Sequence, residues 1–327
     1  MLDYAHDRII VTGGAGFLGQ HVCDLLRERG VTDDRLCVPR SADCDLTAEA
    51  NVARLYAEFP ADVVIHLAAE VGGIGANAAH PGRFFYANWA MGLHLIEHAR
   101  RTGVRHFVHC GTVCAYPEHA ARPFTEDQFW TGYPAPVTAP YSIAKLSLAL
   151  MLDGYRREYG LSGCTLIPVN LYGPKDNFDL ETAHVMPALI RKFIEAKESG
   201  APSVEVWGTG KASREFLYIT DAAAGLLAAA EKVDDPTPIN LGSGIETPIA
   251  ELVERIAAEV GYDGQVVWDT TRPDGQPRRC LSTERSQALL DWQAAVALDQ
   301  GVGQTIAWYR RQRAANLGHP DKKMPSA

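Results

Sequence analysis

Arg8-Ile9-Ile10-Val11-Thr12-Gly13-Gly14-Ala15-Gly16-Phe17-Leu18-Gly19 is an apolar run that breaks into glycine at every third position. Its first five residues read as a short buried strand. Beyond it Val22, Leu25 and Leu26 fall on one side of a helix opening near Phe17. Glycine at 13, 16 and 19 leaves no Cβ between the main chain and a pyrophosphate, and the first helical turn offers free N–H groups and a positive dipole end. The spacing therefore predicts a dinucleotide-binding turn, with Gly13, Gly16, Phe17, Leu18 and Gly19 against the phosphates.

Outward from this turn, strand-like runs alternate with helical ones: Leu36-Cys37-Val38, Val63 to Leu67, His106 to His109 and Thr165 to Val169. That alternation predicts an α/β fold, a doubly wound parallel Rossmann sheet. From about Tyr172 the texture turns rich in Gly, Pro, Asp and Asn, which predicts a smaller C-terminal α/β lobe that binds substrate. The expected division is a dinucleotide-binding domain over 1–172 with segments returning near 215–245, a substrate lobe over 173–214 and 246–315, and a frayed polar tail over 316–327. With 22% charged and 46% hydrophobic residues among 327, the balance is that of a soluble chain, and no apolar run reaches membrane-spanning length. A net charge of −9 argues against nucleic acid as a partner. Seven cysteines without paired C-x-x-C clusters predict reduced thiols and no metal site. The first residues lack a basic segment followed by an apolar one, so the expected location is the cytoplasm.

Chemistry concentrates in Gly111-Thr112-Val113-Cys114-Ala115-Tyr116 and Tyr141-Ser142-Ile143-Ala144-Lys145. Tyr141 and Lys145 stand at i and i+4, one face of a helix, where an ammonium draws a phenol toward phenolate. Two unit charges about 4 Å apart at an effective dielectric near 20 interact by roughly 4 kcal/mol, on the order of three pKa units. Thr112 adds a hydroxyl for a carbonyl oxygen. Cys114 adds a soft base that a plain reductase does not need. After the second strand, where an acid would hold the ribose 2′-hydroxyl of NAD, the chain has Arg40-Ser41, which predicts NADP. Asp45 either contacts the adenine or caps a helix beginning at Thr47.

Further segments carry a resemblance. They are Val71 to Asn77 with Pro81 and Asn88, Cys114 with Tyr116-Pro117, Asn170 to Phe178, His184 to Lys192, Val206 to Gly210, Arg214 to Leu217 and Arg272 to Arg278. Together with the glycine spacing and Tyr-x-x-x-Lys, they make nearly the whole chain resemble the GDP-L-fucose synthase family of extended short-chain dehydrogenase/reductases. The resemblance implies NADPH-dependent epimerisation of GDP-4-keto-6-deoxy-D-mannose at C3 and C5, then reduction at C4 to GDP-L-fucose. It implies Tyr141, Lys145, Thr112, Cys114 and His184 as catalytic residues, with Cys114 the base and His184 the opposed acid. To the cofactor it assigns Leu46, Leu67, Ala68, Ala69, Pro168, Asn170, Leu171 and His184, beside the glycine turn, Arg40, Ser41, Asp45, Tyr141 and Lys145. To the GDP-sugar it assigns Asn170, Val185, Lys192, Trp207, Arg214, Asp274 and Arg279. It also implies a homodimer built on the helices after Pro81 and around Tyr141 to Tyr159.

The residues alone leave alternatives open. Trp207 stacks on guanine or fills the small lobe's core, and Arg214 and Lys192 bind phosphates or pair with Glu215 and Glu195. His184 precedes a helix whose dipole disfavours imidazolium, whereas a nearby diphosphate favours it. His66 and His109 read as structural. Two departures stand out: Thr112-Val113-Cys114 replaces the family's Ser-Ser-Cys or Ser-Thr-Cys, losing a hydroxyl expected to orient the substrate, and His94 stands where relatives often carry asparagine. The nearest rival is an enzyme of the same fold acting on another nucleotide-linked 4-keto sugar. A redox-neutral 4-epimerase conflicts with Arg40, and a non-catalytic NADP sensor conflicts with the retained Tyr141 and Lys145.

Overall fold

A computed structural model describes residues 1–272 and 274–317, the last two by backbone alone. Among the described residues the strands are β1 (Ile9–Thr12), β2 (Leu36–Cys37), β3 (Val63–His66), β4 (His106–Cys110), β5 (Ser162–Pro168), β6 (Asn170–Tyr172), β7 (Ser203–Trp207), β8 (Ser213–Tyr218), β9 (Pro238–Leu241), β10 (Glu246–Pro248) and β11 (Gln265–Asp269). The α-helices are α1 (Phe17–Glu28), α2 (Glu49–Glu58), α3 (Ile74–Ala79), α4 (Pro81–Thr102), α5 (Ala139–Tyr159), α6 (Val185–Ser199), α7 (Ile219–Lys232), α8 (Ile249–Val260), α9 (Glu284–Leu290) and α10 (Leu298–Leu317).

Six parallel strands form the main sheet in the order β2-β1-β3-β4-β5-β9. β1 and β3 are apolar throughout their first three residues because helices cover both faces of the sheet. Ile9 and Val11 of β1 join Val22 and Leu26 of α1 and Leu226 of α7 in one cluster. Ile10 joins Val52 of α2, Ile96 of α4 and Leu148 of α5 in the other. This is the period-2 alternation of a strand read from its two sides. Chain direction across the sheet reverses between β1 and β3, so the crevice beyond their C-terminal ends lies at the switch point where ligands of open α/β sheets bind.

The second body is smaller. β8 lies between antiparallel β10 and parallel β6, and β7 pairs in parallel with β11. Its core joins Phe193 and Ile194 of α6 to Leu252 and Ile256 of α8 and to Ile306 and Tyr309 of α10. Phe216, which composition could return to the main sheet, lies in β8 of this body, whereas α7 and β9 do return. β2 stops at Cys37, short of Val38, and β5 begins at Ser162, three residues earlier than expected. α10 continues to Leu317, two residues into the tail expected to fray over 316–327, and the rest of that tail lies outside the described residues.

Candidate active site

The glycine turn is tight enough to forbid side chains. Gly13 has φ +71°, and a Cβ there would lie 2.6 Å from the Ala68 nitrogen; one on Gly19 would lie 2.0 Å from the Gly13 oxygen. α1 has no side-chain N-cap, so the N–H groups of its first turn remain available to an anion. The cradle therefore fits a dinucleotide phosphate, and Leu67 and Ala68 border it through bonds to Thr12. Arg40 and Ser41 are exposed on a turn closed by Asp43 and Cys44 N–H groups donating to the Arg40 carbonyl. Asp45 closes a turn ahead of α2 and does not cap it: its Oδ1 accepts from Thr47 N at 2.9 Å and Thr47 Oγ1 at 2.7 Å, while α2 begins at Glu49 with Ala48 as its N-cap residue. Leu46 is buried in the α2 cluster.

β4 delivers the reactive segment. After Cys110, Thr112 takes extended backbone and its Oγ1 accepts from Cys114 N at 3.2 Å, capping a short 3-10 turn over Val113–Ala115. Ser142 of α5 donates to the Cys114 carbonyl at 2.9 Å, which ties that turn to the helix bearing Tyr141 and Lys145. The Thr112 hydroxyl and the Cys110 and Cys114 sulfurs all bear on the Tyr141 phenol. Val113, by contrast, is buried in the main core. The hydroxyl missing at that position would face protein interior, so the departure does not line the pocket as expected.

The electrostatics correct one expectation. Burial first, then Cys114 and Cys110, hold the Tyr141 phenol well above its ordinary value, with the Thr112 hydroxyl opposing. Burial also pulls Lys145 down. Desolvation of both groups outweighs the pairing read from the i, i+4 spacing, and Tyr141 stands as a protonated donor rather than a phenolate. Below them His109 Nε2 meets the Lys145 carbonyl at 3.0 Å and His66 Nδ1 meets Thr12 Oγ1 at 2.7 Å. Both rings are kept neutral by burial and by Lys145, and the second nitrogen of each has no hydrogen-bond partner.

The other candidate residues come from the second body and the segments beside it. His184 is the N-cap residue of α6, exposed on one side yet set among enough protein that desolvation lowers its pKa. Val185 follows at the first helical position and packs on that body's core. Asn170 Nδ2 donates to the Glu215 carbonyl at 3.0 Å, and Leu171 pairs with Leu217. Trp207 is 58% exposed, which removes it from the core, and the Lys192 ammonium and Arg272 guanidinium lie 5.7 and 4.8 Å from its ring centre. Lys192 donates to the Glu205 carbonyl, while Glu195 pairs with Arg191 instead. Asp274 accepts from Thr209 N at 2.7 Å and Thr209 Oγ1 at 2.6 Å. Arg214 does not pair with Glu215: it donates to the carbonyls of Ser213, Gln276 and Asp274. Burial, then its neighbour Arg279, bring Arg214 down to about 10. Arg279 Nη1 reaches the Cys114 sulfur at 3.3 Å.

Two carboxyls were not anticipated. Glu215, fully buried, accepts from Gly244 N and Leu281 N at 2.7 Å each, and so fixes the segment leading out of Arg279. Its neighbours in sequence drew attention to Arg214, and nothing in strand alternation marks a buried glutamate as an anchor. Asp176 is the second: Oδ1 accepts from Asn177 N at 2.7 Å, Oδ2 is buried without a partner, and burial raises the group to about 7 from 3.8. A carboxyl raised on folding binds its proton more tightly in the folded state, so its contribution declines as pH climbs from about 4 to about 7, by up to about 4 kcal/mol. Asp176→Asn is expected to exceed the parent in stability by only about 1 kcal/mol at pH 4.5 and by a few kcal/mol at pH 8. Urea unfolding at both pH values checks this; equal midpoints at pH 8 refute it.

Residues 9–242 match the NAD dependent epimerase/dehydratase family. Over 302 residues, 92% of this chain and 93% of the relative, the chain is 37% identical to GDP-L-fucose synthase 1 of Arabidopsis thaliana. It is 35% identical over 311 residues to GDP-L-fucose synthase of Escherichia coli, spanning 92% of this chain and 96% of that one. Among solved structures, a GDP-L-fucose synthetase from Naegleria fowleri bound to NADP superposes with a TM-score of 0.87 at 28% identity, over 96% of this chain and 95% of that one. A phosphate cradle stands at the switch point, with threonine, tyrosine and lysine on the segments that follow β4, and the chain belongs to the NAD dependent epimerase/dehydratase family, among the GDP-L-fucose synthases.

Proposed function

We propose that this chain is an NADPH-dependent 3,5-epimerase and 4-reductase that converts GDP-4-keto-6-deoxy-D-mannose to GDP-L-fucose. The observation that carries the reading is a cysteine thiol beside the Tyr141 phenol, because hydride transfer alone has no use for a second proton handler there. The C4 ketone acidifies the protons at C3 and C5. Cys114 takes each in turn while Tyr141 and Thr112 donate to the developing enolate oxygen, and His184 returns a proton to the opposite face. The GDP diphosphate favours the imidazolium that this step requires. NADPH, when bound, supplies hydride to C4. Tyr141 then protonates the C4 oxygen, which its buried, neutral phenol is suited to do, and Lys145 binds the nicotinamide ribose. The cofactor lies over residues 1–172 with the returning segments near 215–245. The GDP-sugar lies against Asn170 and, within 173–214 and 246–315, against Val185, Lys192, Trp207, Arg214, Asp274 and Arg279. Incubation with GDP-4-keto-6-deoxy-D-mannose and NADPH in deuterated water tests the reading: GDP-L-fucose deuterated at C3 and C5 supports it, and a singly exchanged or unexchanged reduced sugar replaces it with another 4-keto-sugar activity.

Arg40 bears on the cofactor's 2′-phosphate in this reading. Arg40→Glu exchanges a charge-assisted pair for repulsion and is expected to weaken NADPH binding roughly tenfold to a hundredfold while changing NADH binding little. Equal titration curves before and after the substitution would remove Arg40 from the site.

The reading includes a homodimer. Phe85, Tyr86 and Trp89 of α4 and Leu150 and Tyr159 of α5 are exposed although both helices already bury an apolar face against the sheet. A light-scattering mass of one chain at micromolar concentration would end that part. Seven free thiols accord with the cytoplasm as the place of action, and among the described residues no helix is long and apolar enough to cross a membrane.

A further inference from the structure

We propose that Arg279 is a positioning residue for the Cys114 sulfur, aiming it for proton abstraction rather than serving only the substrate's phosphates. The proposal rests on the reading of Cys114 as the base. Arg279 Nη1 lies 3.3 Å from Cys114 Sγ, and the same guanidinium is fixed through Nε to Gln276 Oε1 at 2.5 Å. The sulfur's main chain is fixed as well, by Thr112 at its N–H and Ser142 at its carbonyl. The cysteine is therefore held at its main chain and the guanidinium at its Nε, and the contact between them is not an accident of two loose side chains.

Charge balance gives the second argument. Arg214 bears on both Arg279 and Cys114, so two guanidiniums stand close together in a half-buried setting. Neither spends its donors on a carboxylate here: those of Arg214 go to backbone carbonyls, and those of Arg279 to Gln276 and the sulfur. Like charges so placed repel unless anions lie near them: the Asp274 and Glu246 carboxylates bear on Arg214, whereas among the described residues the acidic group in hydrogen-bond reach of Arg279 is the thiol. A thiolate is a strong acceptor for guanidinium, whereas a thiol is a weak one. In the reaction the substrate C–H bond breaks, its proton forms the S–H bond, and its electron pair moves onto the C4 oxygen as enolate. The thiol then releases that proton to solvent, and Arg279 restores the starting pair.

Alkylation by iodoacetamide reads the sulfur without substrate: the thiolate forms an S–C bond as iodide leaves. Because the reagent is neutral, Arg279 does not steer it. At pH 7.5, with Cys114 quantified by peptide mass spectrometry, Arg279→Gln is expected to slow its modification about tenfold or more, and Arg279→Lys to restore most of the rate. A misfolded variant would expose the thiol and react faster, so a slower rate is diagnostic. An unchanged or faster rate in Arg279→Gln overturns the proposal, as does a variant in which only KM for the GDP-sugar rises. The base assignment itself is judged separately, by deuterium exchange in Cys114→Ser.

Discussion

Tyr141→Phe is expected to lower NADPH consumption with GDP-4-keto-6-deoxy-D-mannose by roughly three orders of magnitude, the middle of the range for loss of a placed general acid. The substitution removes one oxygen. The ring keeps its edge contact with Phe84, and Lys145 keeps its burial, so cofactor affinity should change little. Burial holds the phenol protonated, which suits it to give a proton to the C4 oxygen once hydride has arrived. In the proposed reading Thr112 remains as a second donor to that oxygen. Deuterium exchange at C3 and C5 should therefore persist at a reduced rate, and stopped-flow absorbance alongside NMR exchange measures the two separately. NADPH turnover within tenfold of the parent would show that another group protonates the alkoxide, and would leave Tyr141 as packing.

Cys114→Ser is expected to reverse that pattern. Serine is close in size and can keep the Ser142 and Thr112 main-chain bonds, yet its hydroxyl is a far weaker acid than a thiol of ordinary pKa near 8.5, so little of it is anionic at neutral pH. Exchange at C3 and C5 should fall by roughly a thousandfold, as for other removals of a positioned base. NADPH binding should be retained, because the glycine cradle and Arg40 belong to other segments. Slow reduction of the unepimerised ketone should continue. If this variant exchanges deuterium at the parent rate, Cys114 is a packing residue and the epimerase reading needs a different base.

The glycine turn was legible in the sequence because much of its requirement is local: Gly13 takes φ +71° and a Cβ on Gly19 would meet the Gly13 oxygen within the same turn, whereas the clash of a Gly13 Cβ with Ala68 arises only once β3 is in place. Tyr141 and Lys145 were equally legible, since four residues on one helix fix a shared face. Strand alternation gave the parallel sheet for the same reason. What was not legible depended on neighbours distant in sequence. Val113 could be read as lining the pocket until the 3-10 turn rotated it into the core. Trp207 was ambiguous between core and ligand until β7 left it exposed. The direction of the Tyr141 shift was misjudged because spacing supplies the charge of Lys145 but not the desolvation of the phenol, which only packing sets and which is the larger effect. The pairing of Arg279 with Cys114 joins residues 165 apart, brought together where Glu215 anchors Leu281 and where Phe124 bridges to that same residue. By itself, then, the sequence determined which reactive groups exist and which share a helix face or a turn, since those follow from fixed backbone periods. Only the tertiary structure decided which charges meet and how dry their surroundings are, because contact and desolvation are properties of the packed chain and not of spacing along it.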